Sequence, residues 1–168
     1  MKILGIDPGY ERLGVAIIEK PPQGKETVVF SDCIRTSSKS KMQDRLFEIG
    51  QALSLVIKKY KPDAVAIEEL YFAKNTKTAM TVAEARGVIQ YICKECGLEV
   101  FEYHPNAIKI AITGYGGAKK EDIAFMIPKL VEFNKLPASA KATAGKDDEL
   151  DAIAVALTHL STYRPPIN

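Results

Sequence analysis

The stretch M-K-I-L-G-I-D-P-G-Y-E-R-L-G-V-A-I-I-E at residues 1–19 decides the fold, because it holds two apolar runs separated by a turn. The first run, from Met1 to Ile6, ends at Asp7-Pro8-Gly9, which is a turn signal. Apolar residues resume between Gly14 and Glu19. The pattern predicts two strands of a β-hairpin, and the first strand ends at the carboxylate of Asp7.

Extended and helical patterns alternate through the rest of the chain. The apolar run from Asp63 to Ile67 is continuous, which is typical of a central strand covered on both faces, and Glu68 ends it. The other predicted elements are a strand at 26–35, helices at 42–60 and 78–96, an extended segment at 98–103, and helices at 106–113, 120–133 and 148–161. Pro128 is expected to kink or break the helix that contains it. Three sequential antiparallel strands followed by a parallel crossover define the class α/β.

Length and composition are those of one folded domain, residues 1–168. The chain has 46% hydrophobic and 26% charged residues and is long enough to bury a sizeable core. No apolar stretch has the form of a signal peptide or a membrane span, so we expect a cytoplasmic protein without a membrane partner. The segment 135–146 has no periodicity and is predicted as a loop or linker, and the tail 163–168 is predicted to fray.

Cys33, Cys93 and Cys96 form no disulfide framework, and reduced thiols are expected in the cytoplasm. Cys93-Lys94-Glu95-Cys96 has the spacing of half a zinc site, but no second pair follows it. We therefore predict that one of these two cysteines packs in the core and that the other is partly exposed.

Four carboxylates carry most of the chemical information: Asp7, Glu68, Asp148 and Asp151. Two of them end predicted strands, and the other two lie three residues apart on one face of the last helix, so the four can form an acidic cluster. Close carboxylates cannot all ionise unless divalent cations neutralise them, and Mg²⁺ or Mn²⁺ prefer such oxygens together with substrate phosphates. A phosphodiester is the implied substrate. Taken singly, each acid also has a structural explanation as a turn former, a strand end or a helix N-terminal residue.

Basic residues are concentrated before the acidic helix. The net charge of the chain is only +2, which does not by itself indicate a nucleic-acid partner. From Pro105 to Lys146, however, seven lysines oppose three acids. This local excess fits a phosphate-binding flank, and it fits a solvated surface equally well.

Set side by side, these segments resemble the RuvC family of Holliday-junction resolvases, a branch of the ribonuclease-H-like nucleases. The matching stretches are G-I-D-P-G at 5–9, A-I-E-E at 66–69, F-A-K-N at 72–75, E-A-R-G at 84–87 and D-E-L-D-A at 148–152. They span nearly the whole chain in the family's order. The resemblance implies a ribonuclease-H-like mixed sheet of five strands flanked by helices.

The resemblance also implies how the four acids work. They would hold two Mg²⁺ ions per subunit, with Mn²⁺ as a substitute, one ion orienting and deprotonating water and the other stabilising the leaving 3′ oxygen. The product would carry a 5′-phosphate. Glu69 departs from the family's pattern, and strand alternation predicts that only one of Glu68 and Glu69 reaches the site, with Glu68 preferred.

Four further residues are predicted to contact DNA. By the resemblance, Tyr71 stacks on or wedges between bases near the junction centre. Lys109 and Lys120 match basic residues of the family, and Lys120 is expected to act in catalysis by offsetting charge near the scissile phosphate. Lys74 and Arg86 could both contact the DNA backbone, and each is as readily explained as an exposed solubilising cation; of the two, Lys74 is the one that we predict as a contact.

The predicted substrate also constrains the assembly. A four-way junction has approximate two-fold symmetry, so paired nicking of two opposing strands requires two equivalent sites, and a homodimer is predicted with the helix at 78–96 as its candidate interface. The resemblance implies the RuvA and RuvB branch-migration complex as a partner in homologous recombination and DNA repair. Two alternatives stay open, namely a ribonuclease-H-like nuclease that acts on RNA or hybrids and a catalytically silent junction-binding scaffold. An actin-like phosphotransferase would need a second lobe, for which 168 residues are too few.

Overall fold

An antiparallel hairpin at the start of the chain forms the middle of a sheet, as predicted. The computed structural model describes residues 1–70, 76–133 and 146–163, apart from the side chains of 76–78 and 146. Strand β1 (Lys2–Asp7) pairs with β2 (Arg12–Glu19) in a register that puts Asp7 opposite Gly14. The interiors of both strands are buried, as expected for strands covered on both faces.

Four more strands extend the hairpin into a mixed sheet. They are β3 (Glu26–Arg35), β4 (Ala64–Glu68), β5 (Val100–Tyr103) and β6 (Val131–Phe133). The order across the sheet is β5-β4-β1-β2-β3-β6. β3 is antiparallel to β2, whereas β4, β5 and β6 are parallel to β1, β4 and β3 respectively. The predicted α/β class, with its antiparallel strands and its parallel crossover, is confirmed.

Helices cover both faces of this sheet. In the described part of the chain they are α1 (Met42–Tyr60), α2 (Thr76–Glu95), α3 (Pro105–Thr113), α4 (Lys120–Leu130) and α5 (Lys146–Thr162). Alternate residues of β1 serve two cores, since Ile3 packs with α3, α4 and α5 whereas Leu4 packs with α1 and α2. None of the described helices combines the length and the apolar character needed to cross a bilayer.

Within the residues that the structure describes, the sheet has six strands rather than the five expected. β6 pairs with β3 where a helix over 120–133 is predicted. Instead, α4 ends two residues after Pro128, and Val131 is extended with φ −122° and ψ 158°. Proline weakens the helix by removing an N–H, and the following Val-Glu-Phe contains β-branched and aromatic residues that suit an edge strand.

The three cysteines are free thiols, as expected. Cys93, on α2, is buried in the core, and Cys96 is exposed, which confirms the prediction for this pair. Cys33 is half-buried on β3.

Two glycines let α5 lie directly on the backbone of the hairpin. A Cβ on Gly5 would overlap the carbonyl oxygen of Ala152, and a Cβ on Gly14 would overlap that of Asp148. The Gly14 Cβ would also lie 2.8 Å from the Asp148 carbonyl carbon and 3.2 Å from the Cβ of Asp7. The missing side chains therefore allow the first turn of α5 to approach the end of β1.

Candidate active site

The ends of β1 and β4 bring two carboxylates to one edge of the sheet. The two strands are parallel neighbours, so their last residues, Asp7 and Glu68, lie side by side, and their side chains are hydrogen-bonded to each other. Helix α5 adds Asp148 and Asp151, one helical turn apart. Asp7 interacts electrostatically with all three other acids. The four carboxylates singled out in the sequence thus lie together in the structure.

Burial and mutual repulsion raise the pKa values of two acids in this cluster. The pKa of Asp7 is raised well above its usual value of 3.8, first by burial and then by the charges of Glu68, Asp151 and Asp148. The pKa of Glu68 is also raised, again by burial first and then by Asp151. Full ionisation is therefore unfavourable without a compensating positive charge.

Lys120 supplies part of that compensation from the first residue of α4. Its Nζ lies 2.8 Å from Asp151 Oδ2. Burial lowers the pKa of Lys120, but the hydrogen bond and charge of Asp151 raise it above its ordinary value, so the ammonium stays protonated. Burial raises the pKa of Asp151 and Lys120 lowers it, and the net result is a raised pKa. A fixed positive charge therefore stands at the edge of the acidic cluster.

Asp148 is held by contacts that the sequence analysis did not identify. Arg12 Nη1 lies 3.5 Å from Asp148 Oδ2, and the Cys33 thiol donates to the same oxygen at 3.5 Å. Burial and then Asp148 raise the pKa of Cys33 to about 11, so the thiol keeps its proton and remains a donor. Ser31, on the same face of β3, donates to Glu149 Oε2 at 2.6 Å. One sequence feature could have indicated these contacts. Side chains alternate along a strand, so Ser31 and Cys33 place two polar groups on one side of β3.

A cavity of about 210 Å³ lies beside the acids. Its polar wall contains Lys109 and Lys120 together with Glu68 and Asp151. Its apolar wall is formed by Pro105, Ile108, Ile123, Ala154 and Val155. Both lysines that the family resemblance selects therefore open onto the same recess as two of the carboxylates.

The remaining predicted residues have different outcomes. Tyr71 and Lys74 lie outside the described residues, so their DNA contacts stay predictions. Arg86, considered as a phosphate contact, is only 9% exposed and is bonded within the protein. At the end of β4 it is the side chain of Glu68 that reaches Asp7, whereas the Glu69 backbone N–H donates to Tyr103 O at 2.9 Å.

The donor set fits a divalent cation by its chemistry. Four carboxylates meet at one edge, and hard cations such as Mg²⁺ and Mn²⁺ bind through carboxylate oxygens. As the side chains stand, no three Asp, Glu, His or Cys residues within the described ranges converge tightly enough to enclose an ion. Asp148 and Asp151 point instead to Arg12 and Lys120.

A mixed sheet with acids at the ends of two central strands and on the last helix defines a ribonuclease-H-like nuclease. The family profile described as "Crossover junction endodeoxyribonuclease RuvC" matches residues 3–159. A protein of that name from Syntrophomonas wolfei is 39% identical over 98% of this chain and 91% of its own length. Another from Caldicellulosiruptor saccharolyticus is 42% identical over 95% of this chain and 92% of its own.

A solved structure agrees with these sequence comparisons. T. thermophilus RuvC in complex with Holliday junction substrate has a TM-score of 0.83 to this chain at 29% identity. The match covers 96% of this chain and 93% of that one. The chain belongs to the RuvC family of crossover junction endodeoxyribonucleases.

Proposed function

We propose that this protein resolves Holliday junctions by metal-dependent nicking of two opposing DNA strands, which leaves 5′-phosphate ends, in homologous recombination and DNA repair. The observation that carries the proposal is the meeting of four carboxylates at the edge of the sheet, beside two lysines. Membership of the family supports the substrate class, as does the similarity to a T. thermophilus protein solved with a Holliday junction.

The proposed cofactors are two Mg²⁺ ions per subunit, with Mn²⁺ as a substitute. Asp7, Glu68, Asp148 and Asp151 would hold them, with Asp7 at the centre because it interacts with the other three acids. The chemistry that Mg²⁺ supplies when bound is activation of the attacking water and stabilisation of the leaving 3′ oxygen. The residues of the chain provide rigidity, since Asp7 and Glu68 end central strands and Asp148 and Asp151 are on a packed helix.

Lys109 and Lys120 are proposed to bind the phosphate that enters the recess. Both line the cavity that contains Glu68 and Asp151, so a phosphate there would meet ammonium groups next to the acids. Lys120 is proposed as a catalytic residue, because a positive charge already in place offsets the negative charge that develops on the phosphate. Tyr71 and Lys74 are proposed to extend the DNA contact, on the basis of the family resemblance.

We expect Lys120→Met to lower the nicking rate by roughly 10²-fold, because it removes a fixed charge that acts in the transition state. The measurement is single-turnover nicking of a labelled junction at saturating protein. Lys119→Met is the matched control, since Lys119 contributes its backbone N–H to Asp122 at 2.8 Å and this bond survives the substitution. Equal loss of rate in both variants would contradict the role of Lys120.

The homodimer is proposed to form through α1 and α2. Phe47 and Leu55 on α1 are 65% and 68% exposed, and Tyr91 on α2 is 63% exposed. These side chains border a groove of about 630 Å³ between the two helices. Clustered exposed apolar side chains mark interaction surfaces, and a two-fold dimer would supply two equivalent sites for two opposing strands. The proposed interface thus includes the predicted helix at 78–96 and adds α1.

Leu55→Glu is expected to convert the dimer to a monomer, because it puts a charge in an apolar contact. Sedimentation velocity measures the change, and junction products should shift from paired nicks to single nicks. Phe133→Glu is the control, because Phe133 is also an exposed apolar residue, 40% exposed, but lies on the edge strand β6. A Leu55→Glu dimer of undiminished stability would contradict this interface.

Three assignments accompany the proposed activity. We propose that residues 1–168 act as one nuclease domain, which the single sheet across the described residues supports. We propose the RuvA and RuvB branch-migration complex as the partner, on the basis of family membership. We propose the cytoplasm as the place of action, because chromosomal DNA is the substrate, and we propose no membrane partner.

Substrate choice tests the proposed function. A synthetic four-way junction, a linear duplex and an RNA–DNA hybrid would be incubated with the protein, with Mg²⁺ and with chelator. Metal-dependent nicks confined to the junction are expected. Cutting of the hybrid alone would assign the protein to RNA or hybrid cleavage instead. Junction binding without any cutting would identify a catalytically silent scaffold.

A further inference from the structure

We propose that Arg86 is a positioning residue that fixes the backbone at Glu68 and so aims its carboxylate at Asp7. The inference rests on the proposed function, in which Glu68 holds a divalent cation. Arg86 lies on α2, outside the acidic cluster, and would act through Glu68 without touching the DNA.

The guanidinium of Arg86 joins three elements. Nη1 donates to the backbone carbonyl oxygen of Glu68, the last residue of β4. Nη2 lies 3.0 Å from Glu102 Oε2 on the neighbouring strand β5. Gln90, one turn further along α2, donates to the other carboxylate oxygen of Glu102 at 2.5 Å. Arg86 therefore ties the end of β4 to β5 and to α2 at once.

The bonded carbonyl is at the point where the sheet stops supporting β4. Pairing of β4 with β1 ends at Ile67, so Glu68 lies one residue beyond that ladder. Pairing with β5 continues to Glu68 opposite Tyr103. The peptide that joins Glu68 to Glu69 is held on the β5 side through its N–H, which donates to Tyr103 O at 2.9 Å, and the donor from α2 fixes its carbonyl oxygen as well. The residue that carries this carbonyl, Glu68, is also the one whose side chain is hydrogen-bonded to Asp7.

Stability alone is a weak reason for this arrangement. The Arg86 side chain is 10% exposed, whereas its partner Glu102 is 41% exposed. Removing a guanidinium from water is unfavourable, and its attraction to a half-exposed carboxylate offsets only part of that desolvation free energy. An apolar residue at position 86 could fill the same space without desolvating a charge. What an apolar residue cannot provide is a donor for the carbonyl of Glu68.

The test compares single-turnover nicking with junction affinity in chelator and with melting temperature. Arg86→Gln is expected to lower the nicking rate by about 10-fold to 10²-fold, since small misplacements of catalytic groups have effects of this size. Junction affinity in chelator is expected to stay unchanged. Arg86→Lys, which keeps one charged donor, is expected to recover part of the rate. Glu102→Gln, which keeps the guanidinium, is expected to fall between the wild type and Arg86→Gln.

Arg45→Gln is the matched control for the loss of a buried arginine. Arg45 is 6% exposed, donates to the backbone carbonyl of Tyr10 at 3.3 Å and lies 3.7 Å from Glu11. It therefore makes the same kinds of contact without bonding to any of the four acids. Arg45→Gln is expected to lower the melting temperature while nicking by the folded protein proceeds at the wild-type rate.

Several results would overturn the role of Arg86. One such result is a folded Arg86→Gln protein that nicks at the wild-type rate. Another is a loss of junction affinity in proportion to the loss of rate, because that result would make Arg86 a DNA contact. If Arg86→Gln does not fold, the positioning role of Arg86 would be overturned by wild-type nicking rates in both Arg86→Lys and Glu102→Gln. The wild-type protein assayed beside them tests the proposed function separately, because its nicking of the junction does not depend on the Arg86 variants.

Discussion

The Asp7→Asn variant is expected to lose junction nicking by about 10³-fold or more while still binding the junction. Metal ions contribute several kcal/mol to transition-state stabilisation, and each 1.4 kcal/mol is about tenfold in rate, so loss of the central ligand has an effect of this order. Asn keeps the shape of Asp7 but lacks the charge. The measurement is single-turnover nicking with Mg²⁺, together with junction affinity in chelator.

Asp63→Asn is the matched control for this variant. Asp63 directly precedes β4, at the end of the β1 and β4 pair that lies opposite to Asp7, and its Oδ2 accepts from Lys2 N at 2.6 Å. Asp63→Asn is expected to nick at the wild-type rate. Retained nicking in Asp7→Asn would refute the assignment of the metal site.

The same substitution has an expected effect on stability. Because the pKa of Asp7 in the folded protein is raised above 3.8 by burial and by neighbouring acids, its contribution to stability is full below that pH and is lost as the pH rises through the folded-state pKa. In chelator at neutral pH, Asp7→Asn is therefore expected to melt at or above the wild-type temperature. Mg²⁺ is expected to raise the melting temperature of the wild type and to have less effect on the variant. A large destabilisation by Asn would contradict the electrostatic account.

The second large effect is expected for Gly14→Ala, which should lower both stability and nicking. The added Cβ would overlap the carbonyl oxygen of Asp148 and lie 2.8 Å from its carbonyl carbon. The obstacle is backbone, so the first turn of α5 must move away from β2. Overpacking of this kind costs about 1–3 kcal/mol, and a shift of about 1 Å at a catalytic group can cost about 10²-fold in rate. Urea denaturation and single-turnover nicking measure the two effects.

Gly87→Ala is the control for the stability effect. A Cβ on Gly87 meets no atom within 4 Å, and the residue lies inside α2. Alanine is favoured over glycine in a helix by up to about 1 kcal/mol, so the variant is expected to be as stable as the wild type or more stable. If Gly14→Ala has the wild-type stability in urea and the wild-type nicking rate, the close approach of α5 is not what positions Asp148.

Local patterns were sufficient to predict the framework of this site. The turn at Asp7-Pro8-Gly9 marks the end of β1, and the continuous apolar run before Glu68 identifies a buried strand. Parallel neighbours end at the same edge, so the positions of Asp7 and Glu68 followed from the assignment of these strands. The spacing of Asp148 and Asp151 placed both on one helical face for the same reason, because helical periodicity is local.

Contacts between distant segments were not predictable in this way. Arg86 and Glu102 are 16 positions apart on different elements, and their pairing depends on how α2 crosses β5. Arg12 and Asp148 are also far apart in the sequence, and their contact depends on how the elements that carry them pack together. β6 was missed because its three residues follow a helix directly and become a strand only by pairing with β3. In each case tertiary packing, rather than local preference, decides the outcome.

The most direct test of junction resolution is the fate of the nicked products. A four-way junction would be incubated with the protein and Mg²⁺, both opposing strands would be mapped at nucleotide resolution, and the products would be treated with DNA ligase. Nicks at symmetry-related positions in the two opposing strands, with 5′-phosphate ends that ligase seals into linear duplexes, are the predicted result. Nicks in one strand only, unsymmetrical cuts, or ends that ligase cannot join would contradict paired resolution by this protein.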